Sequence, residues 1–232
     1  MIKIGLTLSL FGAALLLAGP LGSRVGLWSF IVGFLMLALS LLLALTGASL
    51  SLVAGIRTGQ WAAAAAGIIV GLAVVAVPSA VIVSARGKPP IHDITTDPDN
   101  PPPFVAILPL RAGAANPPEY AGSEVAAQQR RAYPDIQPLV LRANTGEAFD
   151  RVLATVRDLG WDVVANDRAT GRIEAVDTTF WFGFKDDVVI RITAGASEGS
   201  ARIDVRSKSR VGVGDVGTNA RRVRTLLGRL QS

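Results

Sequence analysis

Between Lys3 and Arg86 the chain carries only two charged side chains, Arg24 and Arg57, and this constrains its fold more than any other feature. The uncharged stretches run from 4 to 23, 25 to 56 and 58 to 85. A bilayer crossing needs about 20 mainly apolar residues, so each stretch is long enough to span. We therefore expect a transmembrane helical region over residues 1–86, with spans near 4–21, 25–48 and 61–84. Gly19-Pro20-Leu21-Gly22 is expected to end the first span, Trp28 and Trp61 to sit near membrane interfaces, and Pro78 to bend the third. A cleaved signal peptide is the rival reading of the first span. Ala18 and Pro20 make a poor cleavage pattern, however, and two more apolar spans follow.

The charge balance excludes one class of partner. Of 23 Lys and Arg, five (Lys3, Arg24, Arg57, Arg86 and Lys88) precede residue 89, which leaves 18 against all 18 Asp and Glu. The basic excess marks membrane flanks, so no nucleic-acid partner is expected. Those flanks hardly fix orientation: with the N-terminus inside, Lys3 and Arg57 face the cytoplasm while Arg24, Arg86 and Lys88 face out. Three spans do place the two termini on opposite sides. There is no cysteine and only one histidine, His92, which argues against disulfides, thiol catalysis, Cys or His metal sites and a Ser-His-Asp triad. No cofactor is expected.

Residues 87–132 read as a linker, kept extended by Pro89-Pro90, Pro101-Pro102-Pro103 and Asn116-Pro117-Pro118, with a short apolar piece at 104–108 lying on the folded part and helical turns at 123–132. Residues 133–232 read as an α+β domain. A short strand at 137–141, interrupted by Pro138, belongs at an edge. A helix follows, with Asn144 and Glu147 as a capping box, Phe149, Val152, Leu153 and Val156 at helical spacing, and Gly160 at its end. Alternation marks strands at 161–166, 172–178, 187–194 and 201–207, antiparallel through turns at 167–171 and 195–199. The last helix, 215–230, carries Val216, Ala220, Val223, Leu227 and Leu230 as one stripe. The order is β-α-β4-α, an antiparallel sheet with two helices on one face.

Three clusters stand out: Trp181-Phe182-Gly183-Phe184-Lys185-Asp186-Asp187-Val188-Val189, then Arg206-Ser207-Lys208-Ser209-Arg210-Val211-Gly212, then Asp215-Val216-Gly217-Thr218-Asn219 with Arg222. With these, the stretch 177–227 resembles the DUF1499 family of uncharacterised proteins, and the resemblance extends over roughly the last 140 residues. It implies no activity. It does imply an envelope setting, since many relatives look like exported lipoproteins. The chain departs from them at 94–104, where they carry a Cys-Pro-rich segment and no cysteine stands here. The strand and helix order also looks like helix-grip domains of outer-membrane assembly lipoproteins, a likeness of fold alone.

The candidate binding residues are Trp181, Phe182, Phe184, Asp187, Arg206, Ser209, Arg210, Asp215, Asn219 and Arg222. Phe180, Trp181, Phe182 and Phe184 crowd a turn, either as a docking tip for a partner or the bilayer interface or folded back to fill the end of the core. Asp186 and Asp187 are adjacent on a strand, so they point to opposite faces and make a poor acid-base pair. The Gly212-Val213-Gly214-Asp215 loop lacks the lysine and hydroxyl of a P-loop, and Asp215 would occupy the helix N–H groups itself. A structural network of Arg210, Asp215, Asn219 and Arg222 is the expectation there. A basic face with Arg221, Arg222, Arg224 and Arg229 could touch anionic lipid or an acidic partner, or complement the acid-rich half of the domain. His92, Asp93, Asp97, Asp99 and Asn100 lack calcium-loop spacing. The resulting expectation is a non-enzymatic multi-pass protein of the bacterial inner membrane, with its C-terminal domain periplasmic, meeting the lipid bilayer and an envelope protein as partners. The alternative is an envelope enzyme using Asp187, Arg210, Asp215 and Asn219.

Overall fold

The computed structural model describes residues 1–231, which form two compact units: Met1–Arg86 with Phe180–Gly183, and Gly87–Thr179 with residues 184–231. In the first, α1 (Ile2–Arg24), α2 (Phe30–Thr58) and α3 (Trp61–Ala85) are each long and apolar enough to cross a membrane. Three span bounds differ from expectation, one being the start of α2 at Phe30 rather than at 25. Helix α1 runs through Pro20 to Arg24, and α2 continues ten residues past the expected end at 48, to Thr58. A bilayer offers backbone groups no water, so a helix continues through proline and small residues that would stop it in solution. Trp28 Nε1 donates to the Gly19 carbonyl beside Pro20, at 2.9 Å. Helix α3 likewise runs through Pro78.

Lipid gives no hydrophobic drive for helices to associate, so they pack through small residues that let backbones approach. The buried positions are of this kind: Gly5, Ser9 and Gly12 on α1, Ser40, Ala44, Gly47 and Ser51 on α2, and Ala64, Gly67 and Gly71 on α3. Ser9 Oγ donates to the Gly67 carbonyl at 2.8 Å. A Cβ on Gly47 would fall 2.6 Å from the Gly5 carbonyl oxygen, which a backbone cannot yield. Gly47→Leu is expected to destabilise the α1 to α2 contact by about 3 kcal/mol, as overpacking does, while Leu42→Ala on the exposed face changes little. Thermal unfolding in detergent should separate the two variants; equal midpoints would contradict this packing.

The second unit is built on an antiparallel sheet in the order β1-β6-β5-β4-β3, with β2 pairing with β6 beside β1. Its strands are β1 (Asp93–Thr95), β2 (Leu139–Leu141), β3 (Asp162–Asp167), β4 (Arg172–Thr178), β5 (Lys185–Ala194) and β6 (Ala201–Ser209). Helices α5 (Thr145–Asp158) and α6 (Thr218–Gln231) both pack on one face, so the β-α-β4-α order expected of the last hundred residues is the one found. The Asn144–Glu147 capping box starts α5. It then buries Phe149, Val152 and Val156 against Ile173, Val188, Ile190, Ile203 and Val205.

Two expectations need correction. The stripe of α6 is Ala220, Val223, Leu226 and Leu230; Leu227 is only partly buried. The helix begins at Thr218, which puts Val216 in the preceding loop, and the first core spacings are three and three rather than three and four. Residues 87–132 are also no linker. They supply β1, α4 (Ser123–Ala132) and a strap across the other face of the sheet, where Phe104 and Ile107 pack on Val176 and Val189. The physical reason is the composition of that face. Glu174, Asp187, Arg191, Asp204, Arg206 and Lys208 alternate onto it, and buried charges need partners. Proline-rich chain, extended and poor in donors, supplies a cover with free carbonyls. The Pro102 and Pro118 carbonyls accept from Arg206 and the Glu119 carbonyl from Lys208. The non-proline stretch of the strap serves Glu174, whose carboxylate accepts from the N–H groups of Val105, Ala106 and Ile107 at 2.9 to 3.2 Å and so holds the start of a 3-10 turn at Leu108–Arg111. A fragment of residues 87–232 should therefore unfold cooperatively, and one of 133–232, stripped of β1 and the strap, should not. Equal cooperativity in the two would show the strap to be dispensable.

Candidate functional site

The strap-covered face holds three ion clusters. Asp187 lies between Arg111 and Arg210, accepting from Arg111 Nη1 and from Arg210 Nε and Nη2, the last at 2.7 Å. Asp93 receives Arg206 in bidentate fashion at 2.9 and 2.8 Å and Lys208 Nζ at 3.0 Å. Lys208 is 1% exposed and donates also to the Glu119 carbonyl at 2.6 Å. Arg206 stands over the rings of Phe104 and Tyr120. Burial pulls the Lys208 ammonium below its ordinary pKa against the pull of Asp93, and pushes the Tyr120 hydroxyl up to about 12. Farther along the same face, Asp97 and Asp204 share Arg191 and Arg202.

The helix-covered face holds a fourth cluster. Arg222 on α6 reaches Asp177 and Asp186 at 2.7 Å each. Its Nη1 donates to Ser207 Oγ and Asn219 Oδ1, and Asn219 Nδ2 donates to Ser209 Oγ and the His92 carbonyl. Burial raises the Asp186 carboxyl above the usual range, opposed by Arg222. Asp215 accepts from the N–H groups of Gly217 at 2.8 Å and Asn219 at 2.6 Å, occupying the donors that an anion would need.

The structure thus divides the polar residues singled out in the sequence. Asp187, Arg206 and Arg210 lie on the strap side of the sheet, and Ser209, Asp215, Asn219 and Arg222 on the helix side. Arg210 pairs with Asp187 rather than joining Asp215, so the expected four-residue network is split by the sheet. The expected basic face is largely spoken for: Arg222 is paired as described, Arg224 meets Asp135 at 2.6 and 2.8 Å, and Arg221 bonds Thr218. In the His92 to Asn100 segment, Asp93, Asp97 and Asp99 are each paired with arginine. Arg111 and Glu174 were not singled out, and Asp93 and Lys208 were named only within the calcium-loop segment and the family cluster, not as partners of each other. The alternation that put Asp187, Arg191, Asp204, Arg206 and Lys208 on one face was the available signal that this face needed a charged cover.

The aromatic turn is the remaining cluster. Thr179 N–H donates to the Phe184 carbonyl at 2.8 Å and Phe184 N–H to Thr179 Oγ1 at 2.9 Å, closing a turn between β4 and β5 in which Gly183 takes φ +68°. That backbone conformation suits glycine. The two sequence readings divide between residues. Phe180 is 68% exposed and Trp181 50%, their rings edge to face at 5.2 Å, while Phe182 and Phe184 are half-buried. None of the four enters the domain core. The turn Phe180–Gly183 belongs to the same compact unit as the membrane helices. Within that unit the Phe182 ring lies 4.7 Å from Phe34, and Arg24 Nη1 donates to the Phe180 carbonyl at 2.7 Å.

No curated protein matches the chain. The model of the family described as "Protein of unknown function (DUF1499)" matches residues 93–230, from the first residue of β1 to the last turn of α6, and the chain belongs to that family.

Proposed function

We propose that this is a non-enzymatic multi-pass protein of the bacterial inner membrane that carries its family domain on the periplasmic side and docks it to a protein or lipid surface through the aromatic turn. The observation that carries this reading is the exposure of Phe180 and Trp181 at a closed, glycine-set turn. Large apolar side chains left in water together mark contact surfaces. The periplasmic placement is supported by the exported character of look-alike relatives and by a first helix that begins at Ile2, with Lys3 suited to the cytoplasmic side. The enzyme reading is weakened because its four residues lie on opposite sides of the sheet and are paired.

A photoreactive phenylalanine analogue at position 181 of the full chain, illuminated in native membranes, is expected to give a lipid or protein adduct. The same analogue at the exposed Val140 of β2 is the reference. Labelling at 181 no greater than at 140 would overturn the docking role.

A further inference from the structure

We infer that Phe180 and Trp181 are seated in the headgroup layer of the same bilayer that α1, α2 and α3 cross, making the β4 to β5 turn an additional membrane anchor. This rests on the docking reading and names its partner. Three observations carry it. The turn is part of the membrane unit, and its contacts there fall at helix ends: Arg24 is the last residue of α1 and Phe34 the fifth of α2. A 23-residue helix is about 34 Å long and the hydrocarbon core about 30 Å thick, so the end of α1 lies where acyl chains give way to headgroups. The connection between α1 and α2 is itself apolar and exposed, at Val25 and Leu27, with Trp28 following, a composition suited to that layer rather than to water. Tryptophan and phenylalanine rings favour this half-wet depth, with the indole N–H turned to headgroups. Phe180 and Trp181, held at that level by the Arg24 hydrogen bond to the Phe180 carbonyl, have the same surroundings available.

The absence of cysteine makes the test clean, because a single cysteine can be placed and labelled without a background. The full chain bearing Trp181→Cys, labelled with bimane, is reconstituted in vesicles of phosphatidylcholine and phosphatidylglycerol, beside Leu27→Cys and Val140→Cys as membrane and water references. The label at 181 should be quenched by shallow nitroxide lipids as at 27, and by aqueous iodide at least about threefold less than at 140, as an interfacial position requires. Phe180→Cys, read in the same way, covers the case in which loss of Trp181 disturbs the turn. Iodide access equal to that at 140 in vesicles, with shielding in native membranes, would overturn the lipid assignment and leave docking to a protein standing. Access equal to 140 in both would overturn the docking reading as well. Shielding that grows with protein density in the vesicles would point to a second copy of the chain and likewise overturn the lipid assignment.

Discussion

Asp93→Ala should destabilise the family domain by about 3–5 kcal/mol, the usual consequence of removing one partner from a buried ion pair. Among the described residues Asp93 is the sole acid bonded to Arg206 and Lys208, and all three are buried. Without it two cations share a site closed to water, and β1, which pairs Asp93 with Lys208, loses its hold on β6. Lys208→Met in the same background should recover part of the loss, since one uncompensated charge then remains instead of two. At the rim, Arg202→Met should change stability by less than about 1 kcal/mol, because that side chain is partly exposed and Arg191 also serves Asp204. The pH dependence follows from the lowered pKa of Lys208. The folded state disfavours the charged ammonium, so its penalty is present at neutral pH and fades as pH rises from the folded value toward the ordinary 10.5. Removing Asp93 removes the interaction that opposes this depression and widens the window. Denaturant unfolding of residues 87–232 should therefore show the Asp93→Ala deficit shrinking as pH rises from neutrality toward 10.5. A deficit that is small and independent of pH would show that the cluster contributes little.

Leu226→Asp should abolish folding of the same domain, a loss above about 4 kcal/mol, because a carboxylate would enter the layer where Val223, Leu226 and Leu230 meet the sheet. Leu227→Asp should cost distinctly less, since Leu227 is only partly buried at the edge of that layer. Arg224→Asp should be tolerated within about 1 kcal/mol: it breaks a half-exposed pair with Asp135 and places two acids in solvent. Circular dichroism of the three variants gives the order directly. If Leu226→Asp and Leu227→Asp were equally damaging, α6 would be rotated from the position described.

The difference between these two leucines shows where sequence reading ends. A helical stripe can be drawn through either, and only the starting residue of α6 and the sheet beneath decide between them. The strands were legible because alternation is strict in β5 and β6: Val188, Ile190 and Ile192 face the helices while Asp187, Val189 and Arg191 face away. The strap was not, since its three-residue β1 is too short to alternate and prolines report an extended chain without reporting what it crosses. Its partners were visible as isolated charges, but Glu174 bonds backbone N–H groups, which have no signature in a sequence. The aromatic turn was legible because four large rings within five residues cannot all alternate inward. The division between exposed Phe180 and Trp181 and half-buried Phe182 and Phe184 came from the fold.

The central claim, a family domain carried across the membrane by three helices, is tested most directly by reporters fused after Ser232 of the full chain. Alkaline phosphatase folds only outside the cytoplasm and green fluorescent protein matures inside it. An active phosphatase with a dark fluorescent fusion at the same point is the expected result. Bright fluorescence with an inactive phosphatase would place the domain in the cytoplasm and contradict the account.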